Sequence, residues 1–187
     1  MPTPRLRPEE TVLLVVDIQS RFAGSIQGWE SLVANAAVVC RAAAALGVPA
    51  IVTEQNPRGL GHTVPEIAAA VAPGTPVFTK TRFSSVTPEV QSALGALHRG
   101  SVLVVGIEAH VCVMQTTLDL LAGGRQPFLC TDCISAGQAS QVAPAFRRME
   151  RAGAVPTGAL SAIYELLGDA AHPQFKACLE MVKGLRA

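Results

Sequence analysis

The chain has 187 residues, a formal net charge of +1, 49% hydrophobic residues and only 16% charged residues. This length is enough for one domain with a sizeable core, and we predict a single domain over residues 1–187 that begins with an N-terminal arm, residues 1–10. The near-neutral charge argues against nucleic-acid and membrane-surface partners, and no apolar run approaches the roughly 20 residues that span a bilayer.

The cysteine content indicates the compartment. The five cysteines are odd in number and widely spread, and a chain of this length needs no disulfides to fold. We therefore predict a reducing, cytoplasmic location. The charged fraction is well below the roughly 25% of average globular proteins, so part of the surface is expected to be covered by further copies of the chain in a homo-oligomer.

Apolar runs and helical periodicity alternate along the chain. Continuous β-branched and leucine runs predict buried strands, and helical patterns end at glycine or proline. Predicted strands cover residues 11–18, 49–53, 76–79, 101–105, 127–131 and 154–157. Predicted helices cover residues 29–46, 64–71, 88–97, 111–122, 139–152, 159–167 and 173–185. The alternation predicts one doubly wound, Rossmann-like α/β domain, with a central parallel sheet of about six strands and helices on both faces.

Three reactive residues follow predicted strands: Asp17, Lys80 and Cys112. In open α/β sheets ligands bind at the carboxyl ends of strands, so we expect these side chains to lie together. Cys112 falls at a predicted helix start, where backbone N–H groups favour the thiolate over the thiol. Asp17 is then a candidate base, Lys80 a stabilising cation, and the turn before Cys112 a candidate oxyanion site.

Several stretches resemble the signature sequences of the isochorismatase-like cysteine hydrolases, in the same order and spacing. The three principal ones are VVDIQSRF (15–22), FTKTRFS (78–84) and VVGIEAHVCV (104–113). Three more are similar to the isochorismatase domain-containing branch of that family: TEQNPRGLGHTVPE (53–66), TTLDLL (116–121) and GDAAHPQFK (168–176).

The resemblance implies a catalytic triad of Asp17, Lys80 and Cys112. Asp17 would take the thiol proton, and Cys112 would attack a carbonyl or nitrile carbon to form a thioester-type intermediate that water hydrolyses. The resemblance also implies a cis peptide between Ile107 and Glu108, which turns the Glu108 N–H toward the oxyanion hole shared with the Cys112 N–H. The expected activity is hydrolysis of a C–N bond, other than a peptide bond, in a small amide-like compound.

Motif position also suggests a substrate pocket lined by Gln19, Phe22, Gln55, Phe83 and His110. The nicotinamidase branch binds a metal through an Asp-x-His motif and a further histidine. Here the corresponding stretch is Glu-Gln-Asn-Pro (54–57), with only His62 nearby, so we expect no catalytic metal and no cofactor. True isochorismatases lack the nucleophilic cysteine, so isochorismate itself is not the expected substrate.

Two alternatives from other functional classes remain open at this point. One is a redox-responsive thiol protein that uses Cys112 with Cys130 or Cys133 of a C-x-x-C stretch. The other is a non-catalytic binding protein with the same fold. Within the C-x-x-C stretch we expect Asp132 to be a structural capping residue, and we expect Cys40 to be an ordinary core residue.

Overall fold

The computed structural model describes residues 3–186. Its strands are β1 (Thr11–Val16), β2 (Ala50–Gln55), β3 (Val77–Lys80), β4 (Ser101–Ile107), β5 (Gln126–Ser135) and β6 (Val155–Thr157). Its α-helices are α1 (Trp29–Ala45), α2 (Pro57–Leu60), α3 (Pro65–Ala68), α4 (Pro88–Ala96), α5 (Met114–Ala122), α6 (Ala139–Ala152), α7 (Ala159–Leu167) and α8 (Phe175–Val182).

The strands form one six-stranded sheet in the order β3-β2-β1-β4-β5-β6. Every neighbouring pair is parallel. This confirms the predicted doubly wound α/β fold. After β1 the chain adds β2 and β3 on one side, and then crosses to add β4, β5 and β6 on the other. The strand order therefore reverses between β1 and β4, where this fold binds its ligands.

Hydrophobic cores lie on both faces of the sheet, and β1 contributes to each. Leu13 and Val15 belong to the core that α1, α7 and α8 cover. Val12, Leu14 and Val16 belong to the opposite core, covered by α4, α5 and α6. All of β1 is buried, as its continuous apolar run predicts. Strands buried on both faces give the functional edge of the sheet a rigid base.

Gly106 lets β1 and β4 approach closely at this edge. Its φ is +135°, and a Cβ built on it would lie 2.0 Å from the carbonyl oxygen of Val16. Any larger residue would push the two strands apart, so only glycine fits here. The close approach sets the end of β4 beside Asp17, which directly follows β1.

The structure differs from the predicted elements at several places. The helix expected over residues 64–71 is only the one turn of α3 (Pro65–Ala68), and the helix expected over 173–185 is the shorter α8 (Phe175–Val182). The helix expected from residue 111 begins as α5 only at Met114, because residues Ala109–Val113 form a π-helical turn. β5 continues to Ser135 instead of ending at residue 131, because an irregularity in its pairing with β4 absorbs extra residues. The one-turn helix α2 was not predicted, because its sequence PRGL reads as a loop.

The predicted N-terminal arm lies against the domain. Leu6 is buried in the core that α1 covers, and the Arg99 guanidinium donates hydrogen bonds to the carbonyls of Pro8 and Thr11. Residues 1 and 2 of the arm fall outside the described part of the chain. Among residues 3–186, no helix combines the length and apolarity that crossing a membrane requires.

Candidate active site

Asp17 lies one residue beyond β1, at the point where the strand order reverses. Its φ of +54° is in the left-handed region, which aspartate tolerates better than most residues. Its N–H donates to the carbonyl of Thr53 at 3.1 Å. The side chain is 1% exposed, so it is a buried carboxylate that needs compensating donors.

Lys80, the last residue of β3, provides the main compensation. Its ammonium donates to Asp17 Oδ2 at 2.6 Å, to Gln55 Oε1 at 2.8 Å and to the Phe83 carbonyl at 2.9 Å. The lysine side chain is 0% exposed. β2 lies between β3 and β1, so only a long side chain can bring a cation from β3 to Asp17. The sequence-based expectation that Asp17 and Lys80 meet agrees with this geometry.

Cys112 approaches this ion pair from the other side of the strand-order reversal. It lies in the π-helical turn between β4 and α5, and it is 7% exposed. The Cys112 thiol is close enough to Asp17 and Lys80 for the charges of both to act on its pKa. The structure therefore brings together the three residues that the sequence singled out.

The resting state of Cys112 differs from the expectation of a favoured thiolate. Burial, and then the negative charge of Asp17, raise its pKa to about 12 against an opposing effect of Lys80. The expectation took account of the helix start and of Lys80, but not of the burial of Cys112 or of the Asp17 charge beside it. In the folded protein, desolvation and a neighbouring carboxylate outweigh that effect. The resting cysteine is a thiol that carries its proton beside a carboxylate.

A buried chain of hydroxyl groups supports Asp17, and the sequence analysis missed it. Thr53 Oγ1 donates to Asp17 Oδ1 at 2.9 Å and lies 3.0 Å from Ser85 Oγ. The Ser85 N–H in turn donates to Thr116 Oγ1 at 2.8 Å. Thr116 lies on α5, one turn after Cys112, so the chain joins the Asp17 carboxylate to the helix behind the thiol. The only sign of this support in the sequence is Thr53, a hydroxyl residue inside a predicted apolar strand.

Of four predicted pocket residues, Gln55 and Phe83 contact Lys80, whereas Gln19 and Phe22 have other partners. Gln55 contacts Lys80 directly and is half-buried. Phe83 is 53% exposed, and its carbonyl accepts from Lys80. Gln19 is 0% exposed and uses its amide to bind backbone groups of Gln55 and Gly61, so it holds two loops together. Phe22 packs partly buried against the core that α1 covers.

His110, the fifth predicted pocket residue, lies in the π-helical turn two residues before Cys112. Its Nδ1 is buried and has no hydrogen-bond partner among residues 3–186. The residue lines a cavity of about 230 Å³ together with Met114, Gln141 and Arg148. A larger cavity of about 580 Å³ includes Lys80 in its wall and lies between α2 and the start of α4.

The bond between Ile107 and Glu108 is cis, as the resemblance implied. The Glu108 N–H donates to no protein acceptor within residues 3–186. The Glu108 side chain points elsewhere, because its Oε2 accepts from the Gly137 N–H at 2.7 Å. The side chain of Glu108 is therefore held by Gly137, while its backbone N–H has no acceptor among residues 3–186 and is free for a ligand.

Glu54 and His62 interact with each other in the stretch where the nicotinamidase branch has its metal motif. Glu54 Oε2 lies 3.0 Å from His62 Nδ1, and Oε1 accepts from the N–H and the hydroxyl of Thr63. Burial alone would raise the pKa of Glu54, but the hydrogen bonds from Thr63 and His62 outweigh it and lower the pKa below the ordinary value of 4.5. Both carboxylate oxygens are thus already used within the protein.

This lowered pKa predicts a loss of stability in acid. A carboxyl group with a lower pKa in the folded state stabilises the fold above its unfolded pKa, and the contribution is lost as the pH falls through the folded value. The free energy of unfolding, measured in urea, should therefore fall more for the wild type than for Glu54→Gln when the pH is lowered from neutral to below 4.5. Equal losses in the two proteins would contradict this assignment.

The remaining cysteines lie away from Cys112. Cys112 packs in the core covered by α5 and α6, whereas Cys130 and Cys133 pack with Cys40 in the core on the other face of the sheet. All cysteines are free thiols. Because the sheet separates the two groups, this placement argues against a redox pair between Cys112 and either C-x-x-C cysteine. The expected capping role of Asp132 is confirmed, since its Oδ1 accepts from the first N–H of α7 at 2.8 Å.

Comparison with known proteins agrees with this geometry. The isochorismatase domain family matches residues 11–160. The chain belongs to the isochorismatase family. It is 41% identical over 181 residues to isochorismatase domain-containing protein 2 from Macaca fascicularis. The aligned region covers 96% of this chain and 86% of that protein. The resemblance that the sequence motifs indicated is therefore confirmed.

Solved structures of similar proteins extend the comparison. The MAR1 ribonuclease from Caenorhabditis elegans superimposes with a TM-score of 0.93 at 39% identity, covering 96% of this chain and 93% of that one. The Escherichia coli YcaC protein gives a TM-score of 0.88 at 22% identity, covering 99% of this chain and 92% of that one. It is described as an octameric hydrolase of unknown specificity. The second likeness shows the shared fold alone.

Proposed function

We propose that this isochorismatase-family protein is a cysteine-dependent hydrolase of small amide-like compounds, with Asp17, Lys80 and Cys112 as its catalytic residues. The observation that carries the proposal is the buried ion pair of Asp17 and Lys80 beside the Cys112 thiol. Buried charges are costly to maintain and are concentrated where chemistry requires them. This site lies at the reversal of strand order, where the fold binds ligands.

The raised pKa of Cys112 supports a first step in which its thiol gives up a proton. Asp17 takes the proton from Cys112 as the sulfur attacks the substrate carbonyl carbon, so the thiolate forms only when it is used. The C–N bond then breaks, and Asp17 returns the proton to the leaving nitrogen. Water adds to the resulting thioester, Asp17 takes one of its protons, and the acid product leaves as the Cys112 thiol is restored. Throughout, Lys80 holds the Asp17 carboxylate in place.

The negative charge that develops on the substrate oxygen needs donors. The free N–H of Glu108 and the N–H of Cys112 are our candidates, because both belong to the turn that positions the nucleophile. Preorganised backbone donors of this kind contribute about 10²–10³-fold to rate in acyl transfer. Gln55 and Phe83 contact Lys80, and His110 lies two residues before Cys112. We propose that these three residues contact the rest of the substrate.

Thr53 supplies a prediction for the support of the base. Thr53→Val removes the hydroxyl that donates to Asp17 Oδ1 while keeping nearly the same shape. Because Asp17 is then held by Lys80 alone, kcat should fall about ten- to a hundredfold with little change in KM. Thr53→Ser keeps the hydroxyl and should restore most of the activity. If Thr53→Val and Thr53→Ser are equally impaired, the effect is one of packing and the positioning role is wrong.

The name of the Caenorhabditis elegans relative raises RNA as a substrate. The formal net charge of +1 gives this chain no general electrostatic attraction to a polyanion. The buried thiol beside a carboxylate instead suits acyl chemistry on a small carbonyl compound. We therefore propose a small-molecule substrate, and incubation with single-stranded RNA belongs in the same assay panel.

We also propose a single domain that assembles into a homo-oligomer. One sheet with one core on each face supports the single domain. Phe83 and Val77 each leave about half of an apolar side chain exposed, at 53% and 52%, which favours contact with another copy. Sedimentation at micromolar concentration should show a species heavier than the monomer, and a purely monomeric profile would contradict assembly.

The function is tested by ammonia release from a panel of small primary amides. Wild-type protein should release ammonia from at least one amide, and Cys112→Ala should not. RNA and a chromogenic ester serve as comparison substrates for the same two proteins. Cleavage of RNA alone, lost in Cys112→Ala, would overturn the amide proposal while keeping the cysteine. Ammonia release that persists in Cys112→Ala would overturn both.

A further inference from the structure

An irregular segment of β5 gathers reactive side chains on the face of the sheet opposite to Cys112. Leu129 pairs with Val104 of β4, and the next pair joins Ile134 to Gly106. Between these pairs β4 has a single residue, whereas β5 has residues 130–133. A bulge of this kind re-aims side chains, and bulges are common beside functional sites.

The bulge turns two thiols to the same place. In a regular strand, residues three apart point to opposite faces of the sheet. Cys130 and Cys133 are instead both fully buried in the core that α1 covers. The Asp132 carboxylate lies between them, with Oδ1 3.5 Å from Cys130 Sγ and 3.9 Å from Cys133 Sγ. The three donor atoms lie within 4.8 Å of one another.

These separations suit a tetrahedral thiolate site. Zinc binds sulfur at about 2.3 Å and carboxylate oxygen at about 2.0–2.2 Å, which sets tetrahedral sulfur and oxygen ligands about 3.6 Å apart. The two observed sulfur–oxygen distances lie within a few tenths of an ångström of that value. Little movement is needed to close the site around an ion.

Neighbouring elements hold the bulge in this form. The Asp132 carbonyl accepts from Asn35 Nδ2 of α1 at 3.2 Å, and Thr131 Oγ1 donates to the Thr157 carbonyl of β6 at 3.0 Å. Asp132 Oδ1 also accepts from the Ala159 N–H, but a carboxylate has about four acceptor positions and can keep this bond while binding a cation. Asp132 is exposed, which gives an ion a route from solvent.

We propose that Cys130, Asp132 and Cys133 form a binding site for a thiophilic d¹⁰ cation such as zinc, separate from the proposed active site. On binding, each of the two thiols loses its proton to solvent, two metal–sulfur bonds and one metal–oxygen bond form, and water completes the tetrahedron. No oxidation or reduction takes part. The site joins β5 to α7 through Asp132 and stabilises that side of the sheet.

The test is metal loading of the reduced full-length protein. Protein incubated with excess Zn²⁺ is passed through a desalting column, and bound zinc is measured by elemental analysis. Wild type and Cys112→Ala should both retain one zinc ion per chain, whereas Cys130→Ser and Cys133→Ser should retain almost none. Cys178→Ser, which changes a buried cysteine outside the cluster, is the matched control and should bind like wild type.

Cobalt gives a second readout that does not depend on stoichiometry. Co²⁺ should produce sulfur-to-cobalt charge-transfer bands in wild type, and Asp132→Asn should bind it about tenfold or more weakly while asparagine still caps α7. Circular dichroism establishes that each variant is folded. Absence of retained zinc in wild type, loss of zinc in Cys112→Ala, or formation of a Cys130–Cys133 disulfide in the presence of zinc would each overturn the site.

Discussion

Replacing Cys112 with alanine is expected to lower kcat/KM by at least about 10³-fold on any amide that the wild-type protein hydrolyses. The reason is that the proposed nucleophile is the Cys112 thiol, and alanine has no group that can form the covalent intermediate. The measurement is steady-state ammonia release. Cys178→Ala removes another buried thiol, on α8, and should leave the rate within a few-fold of wild type.

Stability should change little in the same variant. Cys112 is small and its truncation removes only one sulfur atom from the core, so we expect a loss of about 1 kcal/mol in the free energy of unfolding. A fall in activity with a nearly unchanged unfolding midpoint therefore separates chemistry from folding. If Cys112→Ala and Cys178→Ala lose activity equally, Cys112 is a core residue and has no role as a nucleophile.

Lys80→Met is expected to have the largest effect on stability. The variant leaves the Asp17 carboxylate buried and without its cation, which typically costs about 3–5 kcal/mol in the free energy of unfolding. Urea unfolding at neutral pH measures the loss. Activity should disappear as well, because the Lys80 ammonium no longer holds the Asp17 carboxylate that is proposed to accept the thiol proton.

The chain contains a matched control for this substitution. Lys183 donates to Glu180 at 2.7 Å, nearly the same distance as in the buried pair, but both side chains are mostly exposed. Lys183→Met should therefore cost less than about 1 kcal/mol. Adding Asp17→Asn to Lys80→Met should recover part of the lost stability, because it removes the unpaired charge. If Lys80→Met and Lys183→Met lose similarly small free energies of unfolding, the Asp17–Lys80 pair is not buried as described.

The general position of the site could be predicted from the sequence. Asp17, Lys80 and Cys112 each follow an apolar run, and in a parallel sheet the ends of such runs meet at one edge. The helical boundaries of α1, α6 and α7 were also predicted closely, because glycine and proline mark their ends. These features depend on local pattern and on the general topology of alternating strands and helices.

Features that depend on tertiary contacts could not be predicted. The π-helical turn before α5 has the same apolar spacing as an α-helix, so periodicity does not distinguish the two. The raised pKa of Cys112 arises from burial and from Asp17, nearly a hundred residues away in the chain. The Thr53 hydroxyl gains its role only when β1, β2 and the Ser85 loop come together.

The bulge in β5 is a further example. The C-x-x-C stretch was visible in the sequence, but a regular strand would have pointed its two thiols to opposite faces. Only the pairing of β5 with β4 shows that extra residues bring Cys130 and Cys133 together. The sequence offered only a redox role for these cysteines as an alternative, and it could not place the atoms of a metal site.

The most direct test of the proposed mechanism is to trap the covalent intermediate. Wild-type protein is mixed with an amide that it hydrolyses, quenched in acid during turnover and digested for peptide mass mapping. The peptide that contains Cys112 should carry the acyl group of the substrate, and hydroxylamine should remove it. Turnover with an unmodified Cys112 peptide, or with the acyl group on another residue, would contradict Cys112 as the nucleophile.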